Sequence, residues 1–505
     1  MRLLVLTLVF LVACSGNGGG GTGGGAGGGT TGTGGGDTTG TGGGTTSAGG
    51  GTSSTGGGLA SGGGTSTGGS GGTGGTGGSG GTGGTGGTGG TGGTGGTGGI
   101  ATFLRVGMYD LFVAGSADGA VHILFYEGAA ERVFYGRCAA SCGNAASWTM
   151  VQLASVTTLG LTAVGAEGLG IDSSGRLHAL LGGVPPFGSS DNQMVYATCA
   201  SNCTSAASWT LTDISVASQG SSIGTNETFM VAPGGQLAFL TQGQTNSFNA
   251  RYVSCASNCA SASSWTGSPV LNANPLYAKR DGAGVIHAVL QQGQTSMGDD
   301  LHFYARCASN CAQTASWQVS MLGFIYRGGG YTAGFEVTPS GKVFLAYNQG
   351  NAMVSTADNR KLFINACTGN NCLDLNTWSS VSLGDLDEGD DGTWLEADGE
   401  ELALASTDQF DVNLRVCTAN CGDAASWSAP VVVDTASAIA QAIAPATGSN
   451  CPSTAESASW WPNRPVVGIS ASGLIVAHAP YAIVKCPGNP NPSRLPTIGR
   501  IYSTF

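Results

Sequence analysis

The stretch Cys138-Ala-Ala-Ser-Cys142, followed six residues later by Trp148, decides the fold because it recurs along the chain. Successive copies are spaced 50 to 61 residues apart. The other copies are Cys199/Cys203 before Trp209, Cys255/Cys259 before Trp265, Cys307/Cys311 before Trp317, Cys367/Cys372 before Trp378 and Cys417/Cys421 before Trp427. A unit that recurs at this period predicts a repeat architecture, in which each copy is one supersecondary element.

A second recurring element lies upstream of each of these cassettes. It is a turn closed by glycine and followed by an apolar run, as in Asp172-Ser-Ser-Gly175 before Arg-Leu-His-Ala-Leu. It occurs seven times, at Gly119, Gly175, Gly235, Gly284, Gly341, Gly399 and Gly473. Each unit carries four short runs rich in β-branched and aromatic residues, which predict strands, and no stretch shows sustained helical periodicity. The sequence therefore predicts an all-β fold, a seven-bladed β-propeller of four-stranded blades over residues 101–505.

The repeat resembles the Asp-box, or BNR, repeats of sialidase-like propellers. In that family a polar hairpin that ends in tryptophan joins the last two strands of each blade. Here a Cys-x-x-x-Cys hairpin, such as the one before Trp209, stands where that family has Ser-x-Asp-x-Gly-x-x-Trp, so the resemblance concerns architecture only. We expect each of these tryptophans to pack against its own cassette loop or against the neighbouring blade.

The seventh unit departs from the pattern. Cys486 stands where the first cassette cysteine is expected, and the final run, 497–502, lacks the tryptophan. A long insertion before Gly473 carries Cys451, Trp460 and Trp461. We expect the ring to close near residues 103–106, beside the C-terminal strand.

Cysteine usage predicts an exported protein with local disulfide bonds. Of 15 cysteines, Cys14 is set aside and fourteen remain, an even number that favours seven bonds. The predicted pairs are Cys138–Cys142, Cys199–Cys203, Cys255–Cys259, Cys307–Cys311, Cys367–Cys372, Cys417–Cys421 and Cys451–Cys486. Zinc is the alternative, but each pair would need two more ligands and no histidine lies at a fixed spacing.

The N-terminus predicts a lipoprotein leader. One positive charge, Arg2, precedes a short apolar run that ends Leu11-Val-Ala-Cys14, and this ending resembles the lipobox of bacterial lipoproteins. The resemblance implies cleavage after residue 13, acylation (palmitate among the chains) of Cys14, and the lipid bilayer as a partner. Ser15 favours the outer membrane or cell surface by the same resemblance. The alternative is an ordinary signal peptide with an incidental cysteine.

Residues 14–100 predict a tether. After Cys14 they are almost entirely glycine, threonine and serine, a composition that cannot bury a core and predicts a disordered linker. A flexible coil of this length spans about 50 Å. Proline is absent from the stretch, which argues against a collagen helix.

The charge balance excludes one class of partner. The chain has a net charge of −12, and the leader and linker contribute only Arg2 and Asp37, so the propeller is strongly acidic. An acidic surface repels polyanions, and nucleic acid is therefore not expected as a ligand.

Two clusters of side chains suggest chemistry, and each has a structural alternative. Three histidines occupy equivalent repeat positions, but other units have alanine, phenylalanine or leucine there, which indicates packing: His122, His178 and His287 against Ala238, Phe344 and Leu402. The acidic stretch with Asp385, Asp387, Asp390 and Asp391 resembles a calcium loop but does not match the EF-hand spacing, and the alternative is a solvated acidic loop between blades five and six. Apart from calcium, no cofactor is expected.

The sequence indicates a surface-displayed recognition scaffold rather than an enzyme. It contains neither a Gly-x-Ser-x-Gly elbow nor a phosphate-binding loop. The function we predict is non-catalytic recognition of a glycan or protein, with Trp460 and Trp461 as candidate ligand-binding residues. The alternative is a glycan hydrolase or lyase of sialidase-like architecture.

Overall fold

The computed structural model describes residues 100–503, with gaps at 104–107, 129, 187–191, 220–226, 243–248, 295–299, 323–333, 350–360, 370, 386–391, 409–410, 448–456, 462–464, 472, 486–492 and 497–498. The described residues all lie within 88–505. The predictions about the leader, Cys14 and the tether therefore fall outside the described residues.

Seven four-stranded antiparallel sheets form the blades of a propeller, which confirms the predicted fold class. Blades 1 to 3 comprise β2 (Met108–Gly115), β3 (Val121–Glu127), β4 (Arg132–Cys138) and β5 (Trp148–Ser155); β6 (Ala163–Ile171), β7 (Leu177–Val184), β8 (Gln193–Cys199) and β9 (Thr210–Asp213); β10 (Met230–Val231), β11 (Leu237–Gln242), β12 (Ala250–Cys255) and β13 (Trp265–Leu271). Blades 4 to 6 comprise β14 (Asn274–Arg280), β15 (Ile286–Gln294), β16 (Asp300–Cys307) and β17 (Trp317–Met321); β18 (Gly334–Val337), β19 (Val343–Gln349), β20 (Lys361–Cys367) and β21 (Trp378–Asp385); β22 (Thr393–Asp398), β23 (Glu401–Asp408), β24 (Asp411–Cys417) and β25 (Val431–Asp434).

Blade 7 closes the ring by joining the two ends of the propeller. Its strands are β27 (Val466–Ser470), β28 (Gly473–His478), β31 (Gly499–Ser503) and, outermost, β1 (Ile100–Phe103). Ile100 pairs with Tyr502 and Phe103 with Gly499. The expected closure beside the C-terminal strand is thus found, with the pairing strand at 100–103 rather than 103–106.

The structure corrects the prediction for the last unit. The run before Cys486 is β29 (Tyr481–Lys485), which leaves the blade and forms a separate three-stranded sheet with β26 (Ser457–Trp461) and β30 (Ser493–Pro496). The C-terminal strand is therefore third in its blade rather than fourth. The pairing of β31 with β1, from the other end of the propeller sequence, is a long-range contact that a local sequence pattern does not predict.

Short helices interrupt the strands. The helix α3 (Ala436–Thr447) departs from the expectation that no helix occurs, and half of its residues are alanine, which has the highest helix propensity. The others are the one-turn helices α1 (Val156–Leu159) and α2 (Ser215–Ser218). A single 3₁₀ turn also precedes each cassette tryptophan, at Ala145–Ser147, Ala206–Ser208, Ala262–Ser264, Thr314–Ser316, Leu375–Thr377 and Ala424–Ser426.

The glycine turns and the cassettes lie at the same end of each blade. In blade 2, Leu177 follows the glycine turn and pairs both with Ile171 on β6 and with Cys199, the first residue of the cassette. The turn needs Gly175 because its φ is +80°, and the Asp172 carboxylate accepts hydrogen bonds from the backbone N–H groups of Ser174 and Arg176. One face of the propeller therefore carries both sets of loops, which we call the cassette face.

Each described cassette holds a disulfide bond within one hairpin, as predicted. Six such bonds have Cα–Cα distances of 5.6–5.7 Å. The tryptophan of each cassette donates from Nε1 to the carbonyl oxygen of its second cysteine, at 2.8 Å for Trp265 and Cys259. The predicted pair Cys451–Cys486 lies outside the described residues.

The cassette tryptophans also join neighbouring blades. Trp209 of blade 2 lies edge-on to Tyr135 of blade 1, with ring centroids 5.0 Å apart, and Trp378 of blade 5 lies in the same way against Tyr304 of blade 4, at 5.7 Å. Both expected contacts therefore occur together for Trp209 and Trp378: each tryptophan bonds its own cassette and packs on the preceding blade. The hydrophobic core accordingly lies between the blades.

The three repeat histidines are buried between strands. His287 Nδ1 lies 2.6 Å from the Tyr304 hydroxyl, and its Nε2 lies 3.2 Å from the Asp281 carboxylate in the glycine turn. A carboxylate only accepts, so Nε2 carries the hydrogen and Nδ1 accepts from the tyrosine. Burial lowers the pKa of His287, which keeps the imidazole neutral and supports this arrangement. The histidines link the glycine turn to the third strand of the same blade.

Candidate functional site

The first strands of the seven blades surround the propeller axis. Each contacts the first strand of the next blade, and β27 contacts β2 to complete the circle. A cavity of about 630 Å³ lies inside this circle at the cassette face, because its wall includes the ends of first strands and residues of the glycine turns such as Ser116, Asp398 and Ala471. We call it the axial cavity, and its volume lies in the range of small-ligand sites.

One side of the axial cavity is charged. Lys279 on β14 reaches Glu336 on β18, with Nζ 2.7 Å from Oε2, and lies 3.8 Å from Oε2 of Glu396 on β22. Glu227 on blade 3 lies beside this group, because its backbone carbonyl accepts from the N–H of Ala278. Four consecutive blades thus each contribute a charged side chain to one cluster.

Burial and charge set the ionisation of this cluster. Burial alone lowers the pKa of Lys279, but the charges of Glu336, Glu396 and Glu227 outweigh it and hold the pKa above its usual range. Burial raises the pKa of Glu396 to about 7, against the attraction of Lys279 and with a further rise from Glu336. The lysine therefore stays charged at neutral pH, while Glu396 exchanges a proton there.

Glu396 is the member of the cluster that faces the cavity most openly. Its side chain keeps 30% of its surface exposed, against 8% for Glu336. The indole N–H of Trp394 donates to its Oε2 at 3.4 Å. Asp398, two residues further along the same strand, is exposed at the mouth.

Apolar side chains supply the rest of the wall of the axial cavity and are closely packed. Phe229 and Val231 of blade 3 lie on the backbone of blade 2 at Gly168 and Gly170, where a Cβ atom would come within 2.6 Å and 2.4 Å of them. These glycines let neighbouring first strands approach and leave a smooth wall. The other apolar lining residues are Phe112, Val113, Leu169, Ile171 and Ile469.

The charged residues of the axial cavity were not predicted from the sequence. Glu167 and Glu227 each lie eight residues before the turn glycine of their unit, and Lys279 and Glu336 each lie five residues before theirs. The available signal was the charge itself, since buried first strands rarely carry ionisable side chains without a partner. Read one unit at a time, each residue looked isolated.

The structure does not bring the predicted ligand-binding tryptophans to this cavity. Trp460 and Trp461 lie on β26, where they pair with Ala482 and Tyr481. This small sheet is inserted before β27 and after β28, at the ends of blade 7 away from its Ser470–Gly473 turn. It therefore belongs to the face opposite the cassettes, and a binding role for the two tryptophans stays a prediction.

The predicted calcium ligands lie only partly within the described residues. Asp385 ends β21, has a side chain 82% exposed, and lies 3.7 Å from Lys361 Nζ. Asp387, Asp390 and Asp391 fall outside the described residues. Within the described part of the chain, no group of three or more histidine, cysteine or acidic residues has the arrangement of a metal site.

No helix among the described residues is long and apolar enough to span a bilayer. The comparisons with protein-family models and with curated proteins find no match.

Several solved structures are similar to this chain at low sequence identity. The polysaccharide lyase Uly1 is 13% identical over 78% of this chain and 89% of its own, with a TM-score of 0.43. An ulvan lyase of polysaccharide lyase family PL25 is 9% identical over 76% and 95%, with a TM-score of 0.46. An α-L-arabinofuranosidase from Lactobacillus brevis is 10% identical over 54% and 90%, with a TM-score of 0.30. At these identities the likeness concerns the fold alone.

Proposed function

We propose that the protein is a surface-displayed recognition module that binds a glycan in the axial cavity of its propeller. The observation that carries the proposal is the cavity itself: it is concave, about 630 Å³ in volume, and its mostly polar lining converges on the same space as an apolar part of the wall. That combination is typical of small-ligand sites. Six disulfide bonds in the blades fit a protein exposed to an oxidising environment.

A recessed site favours a glycan over a folded protein as the ligand. Protein partners dock on broad surfaces of about 800 Å² per side, whereas this cavity lies within the circle of first strands. A chain of sugar rings enters such a cavity from its open end. The apolar wall then packs against the C–H faces of the rings, and the carboxylates accept hydrogen bonds from hydroxyl groups.

Glycoside hydrolysis is the second candidate, and Glu396 is the observation that favours it. Its carboxyl group has a pKa raised to about 7, chiefly by burial, and faces the cavity near a second carboxylate, Glu336. Glycosidases use one protonated and one ionised carboxyl group on either side of the scissile bond. Here, however, Lys279 lies between the two carboxylates, which leaves Glu336 bonded to the lysine rather than open to the cavity.

A glycan array combined with a panel of chromogenic glycosides separates the two candidates. The recognition module should retain glycans on the array and leave the glycosides intact. Release of the chromophore above background, lost in Glu396→Gln, would show hydrolysis and would refute the non-catalytic recognition module. An array without any bound glycan would refute the glycan ligand.

We also propose that acylated Cys14 holds the propeller at the membrane and that residues 15–99 act as its tether. The lipobox resemblance at Leu11–Cys14 and the glycine-rich composition that follows support this. Cys14→Ser should abolish acylation and move the protein from the detergent phase to the aqueous phase in detergent partition. A variant that partitions like the parent would contradict the anchor.

A further inference from the structure

We infer that the axial cavity selects a glycan that carries unacetylated amino groups, such as an oligomer of glucosamine. The inference rests on the proposed function and names the class of its ligand. The volume of the cavity and its apolar wall indicate that a ligand is bound there. The charged residues determine which ligand it is.

The charge balance of the lining is strongly negative. Among the described residues that form the axial cavity and the cluster behind it, Lys279 is the single cation. Five carboxyl groups accompany it, those of Glu167, Glu227, Glu336, Glu396 and Asp398. Lys279 donates a hydrogen bond to Glu336, so its positive charge is already balanced by a carboxylate of the protein. A ligand that adds positive charge is stabilised at this site, and a polyanion such as a uronate polymer is repelled.

Hydrogen-bonding capacity points the same way. Ionised carboxylates only accept hydrogen bonds, and a ligand cation beside Glu396 favours its ionised form. The two prominent donors of the charged side are both engaged, Lys279 with Glu336 and the indole of Trp394 with Glu396. The complementary ligand is therefore rich in donors. Hydroxyl groups and a protonated amine on a sugar ring supply them, whereas an N-acetyl group removes the charge and places a carbonyl acceptor beside the carboxylates.

The apolar wall accounts for the ring itself. Phe229 and Val231 pack against the glycine backbone of blade 2, and Leu169 and Phe112 also line the cavity. A sugar ring with one C–H face on this wall presents its ring substituents to the carboxylates that line the same cavity, Glu396 and Asp398 among them. Small aliphatic amines have no such face and would use the charged side alone.

Isothermal titration calorimetry tests the inference with three tetrasaccharides: β-1,4-linked glucosamine, the same backbone fully N-acetylated, and an oligomer of uronic acid. The glucosamine tetramer should bind about 10- to 100-fold more tightly than the acetylated one, the range of a charge-assisted hydrogen bond. The uronate should not bind measurably. The difference should shrink at about 1 M salt, where the Debye length is about 3 Å.

Matched variants place the effect in the cavity. Glu396→Gln and Asp398→Asn should each weaken glucosamine binding by about tenfold, the loss of one charged partner. Glu401→Gln removes an exposed charge on the neighbouring strand outside the cavity and should leave binding unchanged. Asp398 is exposed, so its variant keeps the test valid should Glu396→Gln fold poorly.

The outcomes separate this inference from the function beneath it. Equal affinity for the acetylated tetramer, or tight uronate binding, would overturn the amine inference and leave glycan recognition standing. If tetralysine binds as tightly as the glucosamine tetramer, the ligand class would be a basic peptide and not a glycan. If none of the oligosaccharides binds and the array is also blank, the proposed function itself fails.

Discussion

Asp434→Asn should loosen the propeller at the seam where its ring closes. Asp434 ends β25 of blade 6 and is 2% exposed. Its carboxylate accepts from Arg500 of blade 7, through Nε and through Nη2 at 3.0 Å, and from His478 Nε2 at 2.9 Å. This one carboxylate therefore fastens blade 6 to two strands of blade 7.

The expected cost is large because the arginine stays behind. Arg500 is 4% exposed, and in Asp434→Asn its buried charge loses the carboxylate of Asp434. Breaking a buried ion pair in this way costs about 3–5 kcal/mol of unfolding free energy. Asparagine retains one acceptor oxygen, so we expect the lower end, about 3 kcal/mol.

Urea unfolding followed by tryptophan fluorescence measures the loss, with Glu401→Gln as an exposed control that should change stability by under about 0.5 kcal/mol. A cycle with Arg500→Gln should give a coupling energy of at least about 2 kcal/mol, since the two groups touch. A cost under about 1 kcal/mol for Asp434→Asn would place this pair among surface ion pairs and refute the reasoning.

Replacing Cys307 and Cys311 together by serine should lower the unfolding free energy by about 2 kcal/mol, because a bond that closes so short a loop removes little entropy from the unfolded chain. A loss of more than about 4 kcal/mol in urea unfolding would mean that the bond does more than close its hairpin. Tyr304→Phe should cost about 1–3 kcal/mol in the same assay, because the buried Nδ1 of His287 loses its donor, and an unchanged midpoint would contradict that bond. Burial lowers the pKa of His122 from 6.5 to about 4. Between these two pH values the unfolded chain binds a proton at this histidine and the folded chain does not, so the unfolding free energy should fall by up to about 3 kcal/mol as the pH drops from 6.5 to 4. His122→Phe should flatten that part of the pH profile, and an unchanged slope would assign the loss to other groups.

The repeat made the blades predictable because each blade is built from local signals. A glycine turn, a cassette and four short runs recur within about sixty residues, and the disulfide closes inside one hairpin such as Cys138–Cys142. Even the packing of Trp209 on its cassette follows from one unit, since both groups lie in the same loop.

The axial cavity was not predictable in the same way because it belongs to no single unit. Glu227, Lys279, Glu336 and Glu396 come from four blades and meet only because the first strands converge on one axis. Their pKa shifts arise from that meeting and from burial. A repeat unit read alone shows one charged residue in a strand.

The strand order of blade 7 could not be predicted from local sequence for the same reason. Its outer strand, Ile100–Phe103, lies about 400 residues away from its partner Gly499–Ser503 along the chain. The sequence predicts its third strand as a fourth because β29 has the sequence pattern of a blade strand, whereas in the structure β29 pairs with β26 and β30. Contacts of such sequence separation are determined by ring closure and not by the residues beside them.

The outermost strand of blade 7 has a mechanical consequence. The chain passes from residue 99 directly into Ile100–Phe103, so any pull on the N-terminal segment enters the propeller through this strand. The load is borne first by the backbone hydrogen bonds between β1 and β31, a ladder of four residue pairs. Blades 1 to 6 have hairpins clamped by disulfide bonds, while the described part of blade 7 has none. Under tension the ring would part at β1, and the cross-linked blades would still be intact when it did.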